Sequence, residues 1–174
     1  MNVLFLCTGN SARSILAEAI LNNLPQAKGR FHAYSAGSQP RGEVNPLAIV
    51  TLREHRINVD GLRSKSWDEF AQPGAPTMDF IFTVCDQAAA ETCPVWPGHP
   101  TAAQWGVADP AAGAGTEEDQ RRAFRDAFLV LRRRIELFVA LPLEKLTGHG
   151  LREALTNIGT HHHAEAGPPV SRAH

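Results

Sequence analysis

The 174-residue chain has no apolar run long enough to cross a bilayer, no surplus of either charge and only three cysteines, and each shortage excludes something. "NVLFL" at 2–6 is far too short for a secretory core or a membrane span, and no basic segment precedes it, so a cytoplasmic protein with no membrane partner is expected. Lys and Arg number 17 against 18 Asp and Glu, a formal charge of −1. No whole-protein field then draws in nucleic acid, and any anion binding must be local. Three thiols, an odd number without an export signal, argue against a closed disulfide scaffold and for reduced thiols or exchange chemistry. Aromatic residues at the rim of a site are also scarce, since Tyr34 is the single tyrosine.

What is present is an ordinary globular composition, 43% hydrophobic and 20% charged, long enough for one core that needs neither metal nor disulfide to fold. "NVLFL" reads as a buried parallel strand, and "RSILAEAILNNL" places Leu16, Ile20 and Leu24 at helical spacing before Pro25. "RFHAYSAG" is a weaker strand, followed by "VNPLAIVTLREH", where Asn45 caps a helix and Pro46 takes its first position. "MDFIFTV" is the next buried strand, "AAAET" a short helix, "AAQWGV" a final strand, and a long helix is expected near 117–140. The alternation implies an α/β fold with a parallel sheet. In the long helix Phe124, Phe128, Leu131, Ile135 and Phe138 form the core stripe, while Arg121, Arg122, Arg125, Arg132, Arg133 and Arg134 are read as a solvated face. Residues 1–140 form the main domain and 141–159 a helical extension. From 160 on, "THHHAEAGPPVSRAH" reads as a frayed tail. Its histidines, 161–163, are adjacent and cannot all converge on one metal without a folded partner segment, so no metal is assigned to them.

The chemistry gathers where the first strand stops. Cys7 closes the strand, "TGNSA" makes the turn, and Arg13 and Ser14 open the helix. Thr8, Gly9, Asn10, Ser11, Ala12, Arg13 and Ser14 then aim backbone N–H groups and a positive helix end at one point, an anion cradle with a thiol at its base. Gly9 lets the backbone fold close to the anion, and Asn10 tolerates a left-handed conformation. Arg13 offers a planar pair of donors to a tetrahedral oxyanion. The field favours thiolate, so Cys7 is expected to be a nucleophile with a depressed pKa. Neither a Walker lysine nor a dinucleotide glycine pattern is present, which points to a free oxyanion or a phosphoryl group rather than a nucleotide.

"CTGNSARS", together with "SAGSQPRGEVNPLAIVTLREHRINVDGLRSKSWDEF", "VCDQAAAETCPVWPG" and "ADP", resembles the low-molecular-weight protein tyrosine phosphatase superfamily and, within it, the arsenate reductases, over about residues 2–140. The resemblance implies a doubly wound four-stranded parallel sheet flanked by helices, with the anion loop at the carboxyl edge of the first strand. It implies that Asp109 is the general acid, with Pro110 fixing its backbone. It also implies a thiol relay. Cys85, expected at the same carboxyl edge as Cys7, attacks the Cys7–arsenic adduct, and Cys93 then attacks Cys85 and carries the disulfide outward. Seven residues rather than six separate the last two thiols, so thioredoxin and glutathione with glutaredoxin both stand as external reductants. Asn10, Glu18, Ser35, Ser66 and Asp68 match positions that hold potassium in some relatives, but in this chain they read better as caps and loop hydrogen bonds. No tightly bound cofactor and a monomer are expected.

Three functions compete on these residues. An arsenate reductase needs Cys7, Arg13, Asp109 and the further thiols. A tyrosine phosphatase needs the first three and an aromatic rim, where this chain has "DPAAGAG". A noncatalytic oxyanion or metalloid sensor needs neither the acid nor the thiol ladder.

Overall fold

The structure is a computed structural model, and it describes residues 1–85, 96–113 and 115–165, the last five of these by backbone alone. Buried β1 (Asn2–Leu6) leads through the cysteine loop into α1 (Arg13–Asn23). β2 (His32–Ala36) and α2 (Pro46–Glu54) follow, and Asn45 caps α2 by accepting from the Leu47 amide at 2.8 Å with Pro46 at the first helical position. β3 (Phe80–Thr83) and β4 (Thr101–Gln104) complete a parallel sheet of order β2-β1-β3-β4. The long helix α3 (Glu117–Val139) opens on a capping box between Thr116 and Asp119, and α4 (Gly148–Glu165) ends the described chain. The doubly wound four-stranded architecture is the one the sequence implies.

Strand order reverses direction between β1 and β3, which opens a crevice at their carboxyl ends. Cys7 follows β1 directly and Cys85 comes two residues after β3, so both thiols emerge into that crevice. Beneath it, Phe5, Phe82, Trp105 and Phe138 pack as one aromatic cluster, with Phe82 and Trp105 stacked at 3.7 Å.

Three sequence expectations change. The last strand covers Thr101–Gln104 rather than 102–107, because from Trp105 onward the carbonyls turn to a side chain, Arg134, instead of a neighbouring strand. Arg134 is itself a correction. It is not on the solvated face but fully buried, donating through Nη1 to the carbonyls of Trp105 at 2.6 Å and Gly106 at 3.1 Å. The segment after 140 is helical, as expected of it, and α4 puts Leu155 and Ile158 into the main core, where the Leu155 carbonyl accepts from Trp105 Nε1 at 3.0 Å. The tail expected from 160 is helical through Glu165. The expected helix at "AAAET" and Cys93 lie outside the described residues.

Candidate active site

The cysteine loop is shaped from outside by a backbone strap. The amides of Gln39, Arg41 and Asn45 donate to the carbonyls of Thr8, Gly9 and Ser11 at 2.9, 3.0 and 2.9 Å, and the Cys7 amide donates to Ala36 O at 3.2 Å. These ties fix the carbonyls of the loop from outside. Gly37 permits the close approach. A Cβ there would stand 2.5 Å from Thr8 O and 2.6 Å from Cys7 O. Asn10 adopts φ +43, the left-handed turn expected of it, and its side chain is wholly buried and fully used. Its Nδ2 donates to Ser14 Oγ at 2.7 Å and Ser35 Oγ at 3.0 Å, and its Oδ1 accepts from the Lys65 amide at 2.8 Å. Helix α1 has no side-chain cap and no acidic residue in its first turn, so its amino end is open to an anion.

The cavity over this loop has a volume of about 310 Å³ and takes in the loop from Cys7 to Arg13, with Gln39, Arg41, Asn45, Asp109 and Ala111 at its walls. Arg13, 13% exposed at its side chain, spans the cavity to the loop that carries the carboxylate. Its Nη1 donates to Val107 O at 2.9 Å and its Nη2 lies 3.6 Å from Asp109 Oδ2, while its buried Nε has no protein partner. Asp109 is further held by the Ala111 amide, which donates to Oδ1 at 2.9 Å. Thus Cys7, the loop from Thr8 to Ala12, Arg13 and Asp109 meet as the sequence reading places them. Ser14 turns inward to Asn10 instead of lining the cavity.

Cys7 and Cys85 are both buried, and their thiols are hydrogen-bonded to each other. The Thr8 amide, one of the loop donors, is directed at Cys85 Sγ, 3.3 Å away. This overturns the expectation of a depressed Cys7 pKa. Donation to Cys85 stabilises the Cys7 S–H, burial adds to that, and together they push the Cys7 thiol well above the ordinary range against the pull of Arg13 and the Gly9 amide. The loop field therefore acts on a pair of sulfurs and not on Cys7 alone.

Among the five potassium candidates, Asn10, Glu18 and Ser35 adjoin one another, with Ser35 Oγ donating to Glu18 Oε1 at 2.5 Å. Ser66 instead caps a short 3-10 turn, accepting from the Asp68 amide at 3.1 Å. Between Glu18 and Ser35 sits Lys65, which the sequence reading passed over. Burial pulls its ammonium below the usual lysine range, partly offset by Glu18. Gln39, Arg41 and Gly37 were likewise given no chemistry. They stand in a turn-rich stretch whose function comes from its contact with the loop, and no local pattern encodes that. No group of three or more His, Cys, Asp or Glu is placed to hold a metal among the described residues, and none of their helices is long and apolar enough to cross a membrane.

A nucleophile-bearing oxyanion loop at the switch point of a doubly wound sheet, faced by an arginine and a carboxylate on a separate loop, defines the cysteine-dependent phosphatase type of site. The profile of the low molecular weight phosphotyrosine protein phosphatase family matches residues 2–147, and the chain belongs to that family. It is 35% identical over 136 residues to a protein of Oceanobacillus iheyensis named arsenate reductase, a match covering 78% of this chain and 93% of the relative. A solved arsenate reductase of Archaeoglobus fulgidus superposes with TM-score 0.56 at 26% identity, covering 77% of this chain and 98% of that one. The low molecular weight protein tyrosine phosphatase of T. tengcongensis superposes with TM-score 0.64 at 25% identity, over 84% and 99%.

Proposed function

We propose that this protein reduces arsenate to arsenite, using Cys7 and Cys85 as the two-electron donor. The observation that carries this reading is the second buried cysteine, whose sulfur is hydrogen-bonded to the nucleophile and to the Thr8 amide of the oxyanion loop. Phosphoryl transfer uses one cysteine and an aromatic slot, and the described residues lining this cavity include no aromatic side chain. A sensor would leave Asp109 and Cys85 without a task.

The geometry supports the following sequence. Arsenate enters against the loop amides, the open end of α1 and Arg13. Cys7 Sγ attacks arsenic while its proton passes along the sulfur–sulfur hydrogen bond to Cys85, which accepts it as a thiolate, and Asp109 gives a proton to the departing oxygen, which leaves as water. Cys85 then gives its proton back to Asp109 and attacks Cys7 Sγ. The S–As bonding pair stays on arsenic, which falls from As(V) to As(III), and the two sulfurs, each having lost one electron, form the Cys7–Cys85 disulfide. An external thiol reductant closes the cycle. Cys93 is the intramolecular candidate to attack Cys85, with thioredoxin the preferred acceptor and glutathione with glutaredoxin the other. Such a cycle suits the reducing cytoplasm.

Single-turnover mixing of reduced protein with arsenate tests this. Wild type should release about one arsenite per chain without added thiol, with the disulfide mapped to Cys85 by peptide mass, and Cys85→Ser should form the Cys7 adduct and release none. Release by Cys85→Ser removes Cys85 as the electron donor, and hydrolysis of an aryl phosphate at a higher kcat/KM than arsenate reduction overturns the reading in favour of a phosphatase. Parallel assays with each reductant decide between thioredoxin and glutaredoxin.

A further inference from the structure

Five residues of this chain match potassium-holding positions, yet the side chains present there do not make a potassium site. Lys65 turns inward and is 8% exposed. Its ammonium stands 2.8 Å from Arg63 O, 3.4 Å from Ser35 Oγ and 3.7 Å from Glu18 Oε1, so its three N–H groups face three oxygens and its charge faces one partly buried carboxylate. The oxygens that an alkali ion would take are committed elsewhere. Asn10 presents its NH₂ to Ser35 and gives its Oδ1 to the Lys65 amide, Ser35 donates to Glu18, and Ser66 Oγ caps the turn at Asp68. A second cation would also have to approach an ammonium already paired with Glu18.

We infer that the Lys65 ammonium is a built-in cation in the place that the family resemblance gives to potassium, so that the oxyanion loop is supported without a bound metal ion. Lys65 is a positioning residue. Its backbone amide holds Asn10 Oδ1 and its carbonyl accepts from Gly37 at 3.0 Å, while its side chain neutralises Glu18, which through Ser35 fixes the other end of the Asn10 amide. Asn10 at φ +43 sets the turn of the loop. One lysine therefore links the segment after Arg63, the end of β2, helix α1 and the anion loop. The inference does not depend on which oxyanion is turned over.

The test uses the full chain and compares potassium chloride with choline chloride at equal ionic strength. Thermal unfolding and the affinity for inorganic phosphate are the readouts. Wild type should give the same melting midpoint and the same phosphate affinity in both salts. Lys65→Met, which keeps the aliphatic stem and removes the charge, should melt lower in choline and recover about 2–4 °C in potassium, with phosphate affinity rising in parallel. Should Lys65→Met fail to fold, Lys65→Gln carries the same comparison. A potassium-dependent rise in wild type overturns the inference, since a site already filled cannot respond. A variant that folds and is equally weak in both salts also overturns it, because Lys65 would then be packing and not standing in for an ion.

Discussion

At the scale of single residues, the site is governed by which sulfur carries the charge. Arg13, the Gly9 amide and the open end of α1 all favour an anion near Cys7, and yet the neighbour closest in chemistry, Cys85, takes the hydrogen bond that holds the Cys7 proton in place. Sequence can show that a cysteine stands in an electropositive loop. It cannot show that a residue 78 positions later places a second thiol against it. The sign of the effect follows directly. The Cys85 hydrogen bond is the largest of the causes raising the Cys7 pKa, so Cys85→Ala should lower it, leaving burial opposed by Arg13 and the Gly9 amide. Thiolate absorbance titrations of the variant and of wild type check this, and an unchanged or higher Cys7 midpoint in Cys85→Ala would contradict it.

At the scale of elements, legibility tracks locality. The strand, loop and helix unit around Cys7 could be read because its hydrophobic run, turn residues and helical spacing lie within about twenty positions, and the Asn45–Pro46 start of α2 is encoded in two residues. Arg134 could not be read. It sits in an arginine run on a helix, where the usual outcome is solvent, and only the carbonyls of Trp105 and Gly106, arriving from another element, make its burial tolerable. Lys65 is the same case, between two serines in a stretch with no periodicity. Arg134 has a functional reach, because the carbonyls it holds immediately precede Val107 and Asp109, which Arg13 holds from the other side. Arg134→Met should therefore loosen the acid loop. Expected outcomes are a loss of about 1–3 kcal/mol in stability from the two carbonyls left buried and unpaired, and a slower first step in rapid mixing with arsenate. The thiolate titration of Cys7 should be unmoved, which separates displacement of the acid from general damage to the site.

At the scale of the whole molecule, the family match ends at 147 but the folded unit does not. Helix α4 lies against β4 so closely that a Cβ on Gly159 would stand 2.5 Å from Gln104 O, and it closes the side of the core where Trp105 is buried. Leu155→Ala should cost about 2–5 kcal/mol, as expected for a side chain with no exposure, and should do so in a single cooperative denaturant transition. Two separated transitions would mean that α4 folds as an independent appendage.

The strap over the cysteine loop divides labour between main chain and side chain. Gln39, Arg41 and Asn45 hold the loop through their amides alone, and those amides are present whatever residue stands there, proline excepted. The side chains of Gln39 and Arg41, freed from that duty, line the cavity, while that of Asn45 caps α2. The frame that fixes the anion is thus insulated from the surface that greets it, and the same scaffold can change its visitors by exchanging Gln39 or Arg41 without undoing a single tie to the loop.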